Sequence, residues 1–354
     1  MAEKIKLFSF RPFKLSQIHL LHLVEYNPDT QKLETPKTIG FYRQPNISDY
    51  PLNLAKGYEN YIHGDWAKHS TSPHDIVLHY LMQAKNPKLQ LEQTDFCINR
   101  KTLIIIIELF LNASQKRKVY ERKEKNVVAV RFNGCIFLNY PNLEYQSKTL
   151  RSTYAFKARQ YLFSDVPGSI PNTDDPLNAN KRLFGTFSAK LGNLSLLYSA
   201  EIAGVENTEP LGDLNDPEVL KQCRLASVKV FSNPDNRNRQ WRTNWRNTHW
   251  LIQAHLANIK QQRVAIFDKN GLVHEPIDAD GRNQLDRLNN FDLTECSQFL
   301  HRFLMEIANI IGDADCPHTI YEFSVEEWSL FFNGKKHKTN STLTEEFIQF
   351  ASRI

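Results

Sequence analysis

The chain has 354 residues, of which 41% are hydrophobic and 23% are charged, values typical of a globular, soluble protein with one large domain or two ordinary ones. Its formal charge of +5, from 44 Lys and Arg against 39 Asp and Glu, permits contact with a polyanion without requiring it. The five scattered cysteines show no CxxC or CxxH spacing, which argues against a zinc site and indicates reduced thiols in a reducing compartment.

The N-terminal residues contain no apolar run of signal-peptide length, so we expect an intracellular protein, cytosolic or nuclear. The longest apolar run, from Leu103 to Ile107, stops at Glu108 and is far too short to span a bilayer. We therefore expect no membrane contact and predict a buried strand at this run. Residues 1–50 are broken by prolines and are expected to form an N-terminal arm, with the core at 51–335 and a C-terminal tail at 336–354.

Predicted strands and helices are mixed along the chain, and no internal repeat or low-complexity linker separates them. Helices are predicted at 57–62, 74–83, 153–164, 240–257 and 293–311. Strands are predicted at 96–100, 126–132, 135–140, 184–191, 194–203, 224–231, 263–267, 319–323 and 328–332. The strongest hairpin signal is Asn133-Gly134. The mixed order predicts a single α/β domain, 1–354, with two mixed sheets and flanking helices.

Two segments rich in basic residues are candidates for contact with nucleic acid. The run at 116–125 either faces phosphate or forms a solvated hairpin loop, and the loop is favoured because charge runs are usually solvated. On the helix at 240–257, Trp241, Trp245 and Trp250 share one face, which is more often core than a platform for bases. The alternative is that the arginines between these tryptophans, including Arg242, flank an RNA path and pair with its phosphates.

Two predicted strands carry a pattern that points to metal-nuclease chemistry. Two-metal hydrolysis of a phosphodiester needs several carboxylates around paired cations. Alternate side chains of a strand point the same way, so E-x-D beside E-x-K supplies three carboxylate ligands and one ammonium group. Here the first strand reads Glu201-Ile202-Ala203 and the second reads Ser227-Val228-Lys229. Only Glu201 and Lys229 fit the pattern.

The order of these segments resembles the DXO family, the decapping exoribonucleases that remove incomplete or non-standard 5′ caps and degrade the RNA. The resemblance runs from about residue 39 to residue 328. It rests on Pro51-Leu52-Asn53-Leu54, Gly57-Tyr58-Glu59 and the hairpin segment from Phe132 to Phe137. It implies a two-sheet core related to D-(D/E)xK nucleases, with Arg100 at the family's first motif arginine and Gln253 at a motif glutamine.

The resemblance also implies four acidic positions, and three of them are lost. Arg159, Ala203 and Ser227 occupy those three, so Glu201 is the only residual metal ligand. A guanidinium repels a cation at a metal position, and a single carboxylate cannot hold a pair of Mg²⁺ ions. We therefore expect no intact catalytic site and no metal cofactor. The residues expected to contact RNA are Arg100, Lys229, Gln253 and Arg242.

This pattern of loss resembles the degenerate, Cutoff-like members of the family in the fly germline. The resemblance implies a protein that binds or protects RNA 5′ ends during piRNA-cluster transcription, with a Rhino/Deadlock-type chromatin complex as partner. It implies a location in the nucleus, with the perinuclear cytoplasm as a second location. The alternative is an active decapping and 5′–3′ exoribonuclease that uses Mg²⁺ or Mn²⁺. It would need other carboxylates at the site, and the nearest, Asp165 and Glu206, lie in loop-like sequence.

Overall fold

The computed structural model describes residues 3–6, 15–64, 74–114, 125–140, 149–232, 240–277, 279–281, 293–326, 329–337 and 342–354. The helices, numbered in chain order, are α1 Asp75–Gln83, α2 Pro87–Glu92, α3 Arg100–Ser114, α4 Leu150–Leu162, α5 Pro217–Gln222, α6 Gln240–Leu256, α7 Leu293–Ile311 and α8 Glu345–Ala351. None of the helices in these ranges is long and apolar enough to cross a membrane.

The strands follow the same numbering. They are β1 Glu3–Lys6, β2 Leu15–Asn27, β3 Lys32–Glu34, β4 Phe41–Tyr42, β5 Leu52–Asn53, β6 Phe96–Asn99, β7 Lys125–Phe132, β8 Cys135–Asn139, β9 Phe163–Ser164, β10 Leu183–Leu191, β11 Leu194–Ile202, β12 Gly204–Val205, β13 Leu225–Ser232, β14 Gln261–Phe267, β15 Leu272–Val273, β16 Ala279–Gly281, β17 Thr319–Glu326 and β18 Ser329–His337.

Ten strands form the larger sheet, in the order β1-β18-β17-β7-β8-β6-β11-β10-β2-β3. The pairs β11–β6 and β6–β8 are parallel, whereas the others are antiparallel. Successive residues of β6 and β11 point into different apolar clusters, since side chains alternate across a strand. Helices α3, α6 and α7 pack on one face, and α1 and α8 pack on the other.

Six strands form the smaller sheet, in the order β16-β14-β13-β12-β4-β9. It is also mixed, because β12 pairs with β4 and β13 pairs with β14 in parallel. Helix α4 buries Tyr154, Ala158 and Leu162 against Val228 and Ala265 of this sheet. Strands β15 and β5 form a separate ribbon. The predicted α/β class with two mixed sheets and flanking helices is confirmed.

The chain passes from one sheet to the other at Ala203, between β11 of the larger sheet and β12 of the smaller. The crossing is tight at Gly204, where an added Cβ would lie 2.3 Å from the Gly40 carbonyl oxygen and 2.5 Å from the Phe163 ring. Only glycine permits so close an approach of the two backbones. The crossing brings the end of β11 beside β13.

The apolar run at Leu103–Ile107 is helical, so the predicted strand is wrong. Asn99 caps the helix α3, because its side-chain oxygen accepts the Thr102 backbone N–H at 2.8 Å. The helix is apolar around most of its circumference because it lies between the larger sheet and helices α6 and α7. A short apolar run does not distinguish a buried strand from a buried helix. The feature of the sequence that indicates the helix is the capping residue Asn99 before the run.

Other predictions for the core have mixed outcomes. The Asn133-Gly134 hairpin is confirmed, and both residues have positive φ, 49° and 77°. The helix predicted at 57–62 is a single 3-10 turn at Tyr58–Asn60, because Ile62 N–H bonds to the Leu177 carbonyl instead. Residues 116–124 of the basic run lie outside the described ranges.

The two ends of the chain contribute to the packed structure. Within the expected N-terminal arm, strand β2 pairs with β10 and places Leu23 and Val24 in the interior. In the expected C-terminal tail, helix α8 buries Phe347 against Phe132 and Phe137 of the β7–β8 hairpin. Both segments therefore contribute buried side chains to the core.

Candidate functional site

Five elements converge on one cavity of about 120 Å³. Helix α3 begins there, β11 ends there, and α4, β13 and α6 complete the walls. Apart from Arg242, every predicted site residue lines this cavity: Arg100, Arg159, Glu201, Ala203, Ser227, Lys229 and Gln253. The side chain of Arg242 lies outside the described part of the structure. The fold therefore brings these seven residues together at one cavity.

The Glu201 carboxylate is held by arginines from two other segments. Arg159 Nη1 lies 2.6 Å from Glu201 Oε1, and Arg182 Nη2 lies 3.4 Å from Glu201 Oε2. Arg100 Nη2 donates a 3.1 Å hydrogen bond to the Glu201 main-chain oxygen. The carboxylate is only 22% exposed. Each of its oxygens is thus already paired with a guanidinium nitrogen.

The surrounding charges fix the ionisation of Glu201. Burial raises the pKa of this carboxyl group, but the positive charges of Arg159, Arg182 and Arg100 outweigh burial and lower the pKa to about 2. Glu201 is therefore a carboxylate throughout the physiological pH range. Its negative charge is matched by the arginines rather than being available to an additional cation.

Lys229 heads a chain of hydrogen-bonded side chains that leads away from the cavity. Lys229 Nζ donates to Gln253 Oε1, and Gln253 Nε2 lies 2.8 Å from His249 Nε2. His249 Nδ1 contacts Glu108 Oε1 on α3. A donating Gln253 amide assigns the imidazole proton to Nδ1, facing the carboxylate. The chain fixes the orientation of Gln253 and, through it, the Lys229 ammonium group.

The Lys229 ammonium group is easily deprotonated in this setting. Burial lowers its pKa, and the nearby charges of Arg100 and Arg159 lower it further, to about 7, against the opposing effect of Glu201. Burial likewise lowers the pKa of Arg100, to about 10, so that Arg100 stays charged at neutral pH. The cavity is therefore strongly cationic, since one carboxylate faces three arginines and one titrating lysine.

The residues present do not fit a pair of divalent metal ions. The structure places Ala203 and Ser227 on the cavity wall, where neither supplies a carboxylate. The spare carboxylate of Glu206 is instead paired with Arg263 at 3.1 Å, and Asp165 is exposed and does not line the cavity. Within the described ranges, no group of three His, Cys, Asp or Glu side chains is placed to hold a metal ion.

Three contributors to the site were missed by the sequence prediction. Arg182 immediately precedes β10 and has no motif spacing to Glu201, so only the fold brings the two together. Glu108 and His249 are on different helices and meet only because α3 packs beside α6.

Trp250 is 9% exposed, which confirms the core interpretation for that tryptophan. The side chains of Trp241 and Trp245 lie outside the described part of the structure.

A family model described as RAI1-like PD-(D/E)XK nuclease matches residues 20–348. The decapping and exoribonuclease protein Rai1 of Drosophila melanogaster is 23% identical over 215 residues, covering 57% of this chain and 56% of that protein. The human decapping and exoribonuclease protein is 25% identical over 223 residues, covering 58% of this chain and 54% of that protein. The chain thus spans little more than half the length of these curated relatives.

Solved structures share the fold over nearly the whole chain. Candida albicans Rai1, in complex with pU5 and Mn²⁺, matches with a TM-score of 0.79 at 13% identity, covering 100% of this chain and 99% of that one. Scheffersomyces stipitis Rai1 matches with a TM-score of 0.76 at 13% identity, covering 99% of this chain and 100% of that one. At such identities the likeness concerns the fold alone.

Proposed function

Because the chain belongs to the RAI1-like PD-(D/E)XK nuclease family, we propose that it is a catalytically inactive member that binds or protects RNA 5′ ends. One observation carries this proposal. The guanidinium of Arg159 is paired at 2.6 Å with Glu201, which is the only carboxylate that the described residues place on the cavity wall. The family resemblance assigns Arg159 to a position where active members have a metal-binding glutamate.

The charge of the cavity supports the loss of hydrolysis. A pair of divalent ions would have to displace two arginines, Arg159 and Arg182, from one carboxylate and would then lie beside the freed guanidinium groups. Coulomb repulsion between such neighbours is on the order of several kcal/mol even at the moderate effective dielectric of a protein surface. Neither Ala203 nor Ser227 offers a charge to offset this repulsion.

The same cations support binding of RNA. Rai1 of Candida albicans is known in complex with pU5 and Mn²⁺. In this chain the cavity at the corresponding motif positions presents the side chains of Arg100, Arg159 and Lys229. Guanidinium groups bind phosphate oxygens through charge-assisted hydrogen bonds and are well suited to bidentate contacts. We propose that they neutralise the phosphate charge that metal ions neutralise in active relatives.

The cellular part of the proposal rests on the pattern of lost carboxylates. We propose that the protein acts in the nucleus, with the perinuclear cytoplasm as a second location, in piRNA-cluster transcription. A Rhino/Deadlock-type chromatin complex is the proposed partner. Chromatin immunoprecipitation of the tagged protein tests this role. Enrichment at piRNA clusters that depends on the chromatin complex is expected, and equal occupancy of piRNA clusters and other transcribed loci would contradict it.

The alternative function is a metal-dependent decapping and 5′–3′ exoribonuclease. It is favoured by family membership and by the retention of Glu201 and Lys229 at motif positions. This alternative requires that Arg159 release Glu201 and that carboxylates from outside the cavity wall enter it. Release of nucleotides from RNA in Mn²⁺ would support the alternative.

An RNA-binding measurement in EDTA tests the proposal. The ligand is a short oligo-U with a 5′-monophosphate and a fluorophore at its 3′ end, so that the 5′ end stays free. We expect binding without metal, and Arg159→Gln should weaken it about tenfold, because one charge-assisted contact contributes about 1.5–3 kcal/mol. Lys221→Gln is the matched control, since Lys221 is 61% exposed on α5. A requirement for Mn²⁺, or equal losses for both variants, would contradict the proposal.

A further inference from the structure

The contacts of Glu201 have the form of an occupied anion site. Its two carboxylate oxygens meet Arg159 Nη1 at 2.6 Å and Arg182 Nη2 at 3.4 Å. The planar, forked guanidinium group binds carboxylate and phosphate with the same geometry. A carboxylate between two such groups therefore occupies the place that a phosphate could take.

Donor capacity remains around this carboxylate. The Nε atoms of Arg159 and Arg182 are both buried, and neither has a hydrogen-bond partner among the described residues. An unpaired buried donor costs free energy, so a ligand that supplies an acceptor to these atoms gains from the contact. The adjoining cavity of about 120 Å³ has the volume of several water molecules, enough for a phosphate group.

We propose that Glu201 is the internal counter-ion of a phosphate-binding site, and that a terminal phosphate monoester displaces its carboxylate from Arg159 and Arg182. This inference rests on the proposed function and names the ligand class of the same cavity. No covalent step is involved. The carboxylate and the phosphate compete for one pair of guanidinium groups, and the phosphate needs no metal ion.

Charge explains why a terminal phosphate is selected over the rest of the RNA. A phosphate monoester carries about −1.5 to −2 charges at pH 7, whereas each internal phosphodiester carries one. Exchange of the Glu201 carboxylate for a phosphodiester leaves the charge between the arginines unchanged. Exchange for a monoester adds negative charge to a cluster that also contains Arg100 and Lys229. The site should therefore prefer RNA with a 5′-monophosphate to RNA with a 5′-hydroxyl.

Removal of the Glu201 charge separates this inference from the role of a metal ligand. Glu201→Gln keeps the shape of the side chain but removes the competing anion. Apparent affinity is the intrinsic affinity multiplied by the fraction of molecules in which the site is free. If the carboxylate occupies the site in about nine-tenths of molecules or more, the variant should bind 5′-monophosphate oligo-U at least about tenfold more tightly in EDTA. Affinity for the 5′-hydroxyl oligo-U should change much less. If Glu201 were a metal ligand instead, the variant would weaken or abolish any binding that depends on a metal ion.

The experiment measures both RNAs with wild type, Glu201→Gln and Arg182→Gln, with circular dichroism as a check of folding. Arg182→Gln should reduce the ratio of 5′-monophosphate to 5′-hydroxyl affinity, which keeps the inference testable if Glu201→Gln fails to fold. The inference is overturned if the ratio of affinities is the same in Arg182→Gln as in wild type, or if folded Glu201→Gln binds the 5′-monophosphate RNA no more tightly than wild type does. In either case, binding of RNA by wild type leaves the proposed function intact. Wild type without RNA binding in EDTA overturns both.

Discussion

The ion pair between Arg159 and Glu201 should contribute to stability far more than a surface pair does. The lowering of the Glu201 pKa from 4.5 to about 2 corresponds to about 3 kcal/mol of net stabilisation of the carboxylate, at about 1.4 kcal/mol per tenfold change. This is a net amount, because the three guanidinium groups also offset the penalty of burying the carboxylate. Arg159, at 2.6 Å, is the nearest partner, so we assign about 1–2 kcal/mol to its coupling with Glu201.

A double-mutant cycle measures this coupling. Urea unfolding at pH 7 is compared for wild type, Arg159→Gln, Glu201→Gln and the double variant, and the expected coupling is about 1–2 kcal/mol. The matched control is the pair Lys221–Glu218, whose side chains are 61% and 70% exposed and whose coupling should stay below about 0.5 kcal/mol. A coupling at Arg159–Glu201 as small as the control would refute the view that Glu201 is engaged by arginine.

The pH dependence of this pair has a definite sign. Because the folded-state pKa of Glu201 is depressed, its contribution to stability is complete above the unfolded pKa of about 4.5 and disappears as the pH falls toward 2. The difference in free energy of unfolding between wild type and Glu201→Gln should therefore shrink as the pH falls below about 4.5. A difference that stays constant down to pH 3 would contradict the assigned ionisation.

Three further changes have clear expected outcomes. The triple variant Arg159→Glu, Ala203→Asp and Ser227→Glu rebuilds four carboxylates with Glu201 and should gain Mn²⁺ affinity in calorimetry, whereas no gain would contradict the motif register. Lys229 has a lowered pKa of about 7, so the unfolded state binds more protons above that pH. The urea midpoint of wild type relative to Lys229→Met should rise from pH 7 to 10, and parallel profiles would contradict the shift. Gly204→Ala should lower stability by about 1–3 kcal/mol, because its Cβ would lie 2.3 Å from a neighbouring carbonyl oxygen, and an unchanged midpoint would show that the crossing relaxes freely.

The sequence contained enough information to locate the cavity because its key residues obey strand periodicity. Glu201 lies near the end of β11 and Ala203, two residues later, directly follows that strand, and Ser227 and Lys229 are two residues apart on β13. Side chains two apart on a strand point the same way, so the motif spacing predicted the wall that the fold then formed. The hairpin at Asn133-Gly134 was predictable for a similar local reason, because both positions need positive φ.

The remaining features depend on contacts between distant segments. The run Leu103–Ile107 satisfies a strand pattern and a buried-helix pattern equally, and the packing of α6 and α7 on α3 decides the outcome. Arg182 reaches Glu201 only because the chain enters β10 beside β11. The sequence predicted that Arg159 repels metal, but only the structure shows that two arginines hold the carboxylate oxygens of the residual ligand.

The most direct test of an inactive, end-binding protein combines hydrolysis with binding on one RNA. Purified protein is incubated with 3′-labelled 5′-monophosphate oligo-U in Mn²⁺, and the products are resolved on a denaturing gel. Parallel samples in EDTA measure affinity by anisotropy. We predict metal-independent binding and full-length RNA in every Mn²⁺ sample. Shortened RNA that appears in Mn²⁺, and disappears in both Glu201→Gln and EDTA, would contradict the account and establish a working nuclease.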